Sequence, residues 1–194
     1  RTNPIPSDAP AMARELLDTE QLRASIRTIP DFPKPGIQFR DITTLLADPA
    51  ALHTSIELLA RQIRSAEAEI VAGMEARGFI FGAAVAAAAG VGFVPIRKPG
   101  KLPCKTIGVD YELEYGMDRL EVDPEAIADH ARVALVDDLI ATGGTALAAA
   151  ELVRKAGGEV AAALFVVDLP DLGGADRLRE TGVSVHSLVS FSGD

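Results

Sequence analysis

The segment RVALVDDLIATGGT, from Arg132 to Thr145, sets two adjacent carboxylates, Asp137 and Asp138, at the end of an apolar run. The small and hydroxyl residues Ala141, Thr142, Gly143, Gly144 and Thr145 follow. A buried strand, such a turn and then a helix is a phosphate cradle. Glycines admit backbone conformations that other residues resist, so successive amides converge on one anion at a helix N-terminus. Thr142 and Thr145 add hydroxyl donors. The turn is not a Walker A loop, which needs Lys before its Ser or Thr, and GxGxxG is absent. Two carboxylates repel a neighbouring anion unless they have another task. Hydrogen bonding to vicinal ribose hydroxyls is that task, with a hydrated Mg²⁺ as a further partner.

A second concentration of charge lies upstream. Arg97, Lys98, Lys101 and Lys105 are four cations with no acid among them, and Asp110, Glu112, Glu114, Asp118, Glu121 and Asp123 follow with only Arg119 in opposition. Tyr111, Leu113 and Tyr115 alternate with Glu112 and Glu114, which predicts a β-ribbon turning near Gly116. His53, His130 and His186 are scattered and suggest no structural metal. Cys104 has no adjacent base that would make it a nucleophile.

These residues need a scaffold. Met12, Leu16, Leu22 and Ile26 predict an amphipathic helix ending before Pro30. The proline-rich stretch PDFPKPGIQFRDIT predicts a shaped loop. Asp48-Pro49 reads as a helix cap followed by Pro at the first helical position, and Leu52, Ile56, Leu59 and Ile63 continue as an apolar stripe to about Ser65. From Ile70 onward short apolar strands alternate with helices. That pattern predicts an α/β fold with a central parallel sheet and helices on both faces. Ligands in such folds bind beyond the carboxyl ends of the strands, here after Met74, Ile96, Val136 and Val167.

Composition narrows the partners. The chain has 194 residues and 48% hydrophobic content, the size and make-up of one globular domain; 19 Lys+Arg against 28 Asp+Glu give a net charge of −9. Such a charge argues against a nucleic-acid or membrane-surface partner, since both are polyanionic. The uncharged run from Phe79 to Ile96 reaches the roughly 18-residue minimum of a membrane span, but it is rich in Ala and broken by Gly90, Gly92 and Pro95, so a helix followed by a strand is expected. One cysteine excludes an internal disulfide and suits a cytoplasmic location. Residues 1–11 read as a flexible tail, with 12–194 as the single domain.

VALVDDLIATGGT resembles the phosphoribosyl-pyrophosphate (PRPP) signature of type I phosphoribosyltransferases. PDFPKPGIQFRDIT, EARGFIFG, IRKPGKLP and YELEYG are similar to segments of the branch that uses adenine, in the same order. The resemblance implies transfer of the phosphoribosyl group of PRPP to adenine, giving AMP and pyrophosphate, with Mg²⁺, in a homodimer. It implies that Ala141, Thr142, Gly143, Gly144 and Thr145 hold the 5-phosphate and that Asp137 and Asp138 hold the ribose near the metal. Glu75, Ala76 and Arg77 would meet the pyrophosphate across a cis peptide between Glu75 and Ala76. Arg97, Lys98 and Lys101 would add positive charge to that end. Gln38, Phe39 and Arg40 would bind the purine, with Phe39 stacking and the backbone reading its edge. Glu114 would be the acid/base, supported by Tyr115. Residues of about 12–45 would form a hood, and 99–123 a flexible loop closing the site. Two alternatives remain open at this point: transfer to a 6-oxopurine such as xanthine, and a PRPP-sensing regulator without catalysis.

Overall fold

The computed structural model describes residues 15–113 and 116–193. The expected tail, Met12, Glu114 and Tyr115 therefore lie outside the described residues. The chain opens with α1 (Thr19–Ala24), β1 (Arg27–Pro30), β2 (Gln38–Asp41), α2 (Thr43–Ala47) and α3 (Pro49–Ser65). The alternating part comprises β3 (Ile70–Met74), α4 (Arg77–Ala89), β4 (Gly92–Ile96), the ribbon strands β5 (Ile107–Leu113) and β6 (Gly116–Val122), then β7 (Arg132–Ile140) and α5 (Gly144–Lys155). It ends with β8 (Glu159–Asp168), α6 (Gly174–Glu180) and β9 (Val185–Ser190).

Five strands form one parallel sheet in the order β4-β3-β7-β8-β9. Strand alternation splits its side chains between two cores. Ala72, Met74, Val133 and Leu135 pack with α5, α6 and the ribbon, whereas Val71, Ala134 and Val136 pack with α3 and α4 on the other face. The ribbon is built into the first core. Val109, Tyr111, Leu120 and Val122 are buried, and β5 runs antiparallel to β6 from Ile107↔Val122 to Leu113↔Gly116.

Local chemistry sets the helix ends. The Asp48 carboxylate accepts from the amides of Ala50 (2.8 Å) and Ala51 (3.1 Å), and Pro49 occupies the first turn, where its missing N–H is of no consequence. The Phe79–Ile96 run divides as its glycines require: α4 ends on Gly90 at φ 76°, and β4 follows. No described helix is long and apolar enough to cross a membrane.

The amino-terminal part differs from the sequence expectation. The helix expected from Met12 to Ile26 is short where it is described: Asp18 and Gln21 form a reciprocal capping box, and α1 ends at Ala24. The stretch expected as a loop contains a strand. β2 pairs antiparallel with β1, Phe39 opposite Ile29, so the prolines are confined to the strand end and the connection between the strands.

Candidate active site

The sheet order creates the site. The chain leaves β3 toward β4 on one side, and leaves β7 toward β8 and β9 on the other. The β3–α4 and β7–α5 turns therefore diverge from neighbouring strands and leave a crevice between them. Ala76 is the cap position before α4 and Gly143 that before α5, and neither end is capped by a side chain. Each leaves first-turn N–H groups with no partner inside its own helix, on opposite faces of one sheet. A cavity of about 480 Å³ fills the crevice, walled by Glu75, Ala76, Arg77 and Lys98 on one side and by Asp137 to Ala146 on the other, with Tyr111 and Phe165 completing it.

The turn after β7 is tightly built. Gly143 sits in the left-handed region at φ 84°, and a Cβ there would lie 2.9 Å from the Gly174 Cα. The first helical hydrogen bond runs from the Leu147 amide to the Gly143 carbonyl (2.9 Å). The turn that lines the crevice is made of Ala141, Thr142, Gly143, Gly144 and Thr145, the residue composition of an anion nest.

Asp137 and Asp138 are less negative together than their formal charge suggests. Asp138 is 4% exposed and its Oδ2 lies 2.7 Å from Arg77 Nε, so the first residue of α4 neutralises it. Asp137 accepts from the Asp138 amide (2.8 Å). Burial, followed by the charge of Asp138, pushes its carboxyl up to about 8. An acid raised in the native state binds a proton there that the unfolded chain has released. Its stabilising contribution is complete below the ordinary value of 3.8 and is lost as pH rises toward about 8. In the ligand-free protein, Asp137→Asn is expected to flatten the fall of melting temperature between pH 5 and pH 8. An unchanged slope would show that Asp137 is ionised throughout.

The β3–α4 turn is pinned to the end of β4. The Glu75–Ala76 peptide is cis. The Glu75 carboxylate accepts from Arg97 Nε (3.1 Å) and from the Lys98 amide (3.0 Å), and these bonds, the Lys98 amide foremost, hold it below the usual carboxylate range. Arg97 also donates to the Lys101 carbonyl (3.0 Å). Lys98 reaches the cavity wall bonded to Asp118 and to the Tyr111 hydroxyl (3.0 Å). Burial is the largest single influence and opposes its charge, but the hydrogen bonds and charge interactions with Asp118 and Tyr111 together outweigh it and the net shift is upward.

The matched family model is the phosphoribosyl transferase domain, over residues 41–187. The adenine phosphoribosyltransferase of Erythrobacter litoralis is 65% identical, over 91% of this chain and 99% of its own length. The chain belongs to the adenine phosphoribosyltransferase family. Among solved members, that of Thermoanaerobacter pseudethanolicus superposes with a TM-score of 0.84 at 48% identity, covering 89% of this chain and 99% of the other. That of Saccharomyces cerevisiae, complexed with an imino-altritol bisphosphate and adenine, gives 0.82 at 37%, covering 88% and 97%.

Against this family's site as read from the sequence, the cavity gathers Glu75, Ala76, Arg77, Lys98, Asp137, Asp138 and Ala141 to Thr145 on one wall system. Arg97 stands behind Glu75 and Lys101 outside the lining. Gln38, Phe39 and Arg40 lie on the β1–β2 hairpin and do not line this cavity. Phe39 is half-buried with its ring 5.1 Å from that of Phe32, edge to face. The Arg40 side chain is engaged by Thr28 (2.6 Å) and by the Phe191 ring (4.5 Å). Leu139, Ile140 and Phe165 line the cavity but escaped the sequence reading. Leu139 and Ile140 had a signal, since they separate the paired acids from the glycine turn; Phe165 reaches the site only through folding.

Proposed function

We propose that the chain transfers the 5-phosphoribosyl group of PRPP to adenine, releasing AMP and pyrophosphate, in a purine-salvage reaction. The observation that carries this reading is the crevice at the β3/β7 switch point, where two uncapped helix ends and a paired acid share one cavity. In this reading the amides and hydroxyls of Ala141 to Thr145 bind the 5-phosphate, and Asp137 and Asp138 accept from the ribose hydroxyls. The Glu75–Arg77 turn and Lys98 receive the pyrophosphate. Arg97, tied to Glu75, positions that turn, and Lys101 contributes charge from outside the cavity. Phe39 stacks on the purine. With the Arg40 side chain committed to Thr28 and Phe191, residues 38–40 read the purine edge through their backbone. A backbone carbonyl accepts from an exocyclic amine and repels a 6-oxo group.

The bond from the anomeric carbon to pyrophosphate breaks as the purine nitrogen bonds to that carbon, and the proton leaving the purine passes to Glu114, with Tyr115 supporting the loop. Among the described residues no group of three or more His, Cys, Asp or Glu could hold a metal. Asp137 and Asp138 would hold a Mg²⁺, whose charge would favour the ionised form of Asp137 that burial and Asp138 oppose in the ligand-free protein. When bound, that ion neutralises the leaving pyrophosphate. We further read the enzyme as a cytoplasmic homodimer.

Incubation with Mg²⁺-PRPP and adenine, hypoxanthine, guanine or xanthine in turn, following pyrophosphate, tests this reading. Release with adenine exceeding the 6-oxopurines by about 10⁴-fold is expected for a site that leaves their edge unpaired. Adenine inert while xanthine reacts would overturn it.

A further inference from the structure

The segment after β8 packs against the back of the phosphate loop. The Gly174 amide donates to the Ala141 carbonyl (3.0 Å), and Arg177 Nη1 donates to the Thr142 carbonyl (2.8 Å). A trans peptide is planar, with its C=O and N–H on opposite edges. Fixing the Ala141 and Thr142 carbonyls toward α6 thus turns the amides of Thr142 and Gly143 away from it. Ala141 to Gly143 line the crevice and Arg177 does not; its side chain is exposed in a neighbouring cavity of about 420 Å³, beside Gly144, Arg154 and Glu151.

We propose that Arg177 is a positioning residue for 5-phosphate binding: by holding the Thr142 carbonyl it sets the peptide plane whose amide faces the phosphate. A charged donor on a carbonyl also polarises that peptide, strengthening its N–H as a donor. Arg177 touches neither pyrophosphate turn nor purine hairpin, so its influence is confined to one end of the substrate. This inference rests on the phosphoribosyl reading above.

Calorimetric binding of ribose 5-phosphate and of pyrophosphate, with KM for PRPP and for adenine, tests it on Arg177→Ala and Arg177→Lys. For one charge-assisted hydrogen bond at an exposed position, Arg177→Ala is expected to weaken ribose 5-phosphate and raise KM for PRPP by about fivefold to tenfold. Pyrophosphate affinity and KM for adenine stay within about twofold by the same reasoning, and Arg177→Lys recovers most of the loss. Equal binding of ribose 5-phosphate by wild type and Arg177→Ala overturns the inference, as does a parallel loss of pyrophosphate affinity or no recovery with Lys. A wild-type protein indifferent to ribose 5-phosphate overturns the phosphoribosyl reading itself, and this one with it.

Discussion

Gly174→Ala is expected to reduce kcat/KM for PRPP by about two orders of magnitude, the typical effect of displacing a binding group by roughly 1 Å. A Cβ on Gly174 would lie 2.2 Å from the Ala141 carbonyl oxygen and 2.6 Å from the Gly143 nitrogen. Both are backbone atoms of the turn proposed to hold the 5-phosphate, so no side-chain rotation relieves the overlap. Either the loop moves into the crevice or α6 retreats and releases the carbonyls it holds. Overpacking of this kind also destabilises by about 1–3 kcal/mol. Gly173→Ala separates the two effects. Gly173 has φ 71°, and a Cβ there would meet nothing within 4 Å. It should lose about 1 kcal/mol of stability from its left-handed conformation while keeping its affinity for PRPP. Steady-state kinetics with thermal unfolding distinguishes them; equal KM values for the two variants would show that α6 does not shape the loop.

Glu114→Gln is expected to lower kcat by about 10²- to 10⁴-fold, the usual contribution of a positioned proton acceptor. The amide keeps size and polarity but takes no proton, so PRPP binding should survive. Tyr111, three residues earlier in the sequence, lines the crevice. Turnover of Glu114→Gln equal to wild type would remove the role and leave the purine proton to solvent.

The parts legible in the sequence are those specified by neighbours along the chain. Asp48, Pro49 and an apolar stripe define α3 to its ends, and the acid pair followed by the glycine turn marks the end of β7 and the start of α5. The β1–β2 pairing was hidden because the prolines and glycine between the strands dominate local reading, while the strand depends on residues such as Ile29 and Phe39 meeting across the gap. The cations Arg97 and Lys98 read as free charge for an anion. In the folded chain they are partnered by Glu75 and Asp118, and the Asp118 carboxylate lies below its usual range chiefly through its bond to Lys98. Gly174 and Arg177 lie more than thirty residues beyond the Ala141 and Thr142 carbonyls they hold, and no spacing rule links them.

The most direct measurement is a crystal structure of the protein with AMP. Phosphate oxygens within hydrogen-bonding distance of the amides between Thr142 and Thr145, and the ribose hydroxyls on Asp137 and Asp138, are the expected result. AMP density elsewhere, with that turn empty, would contradict it.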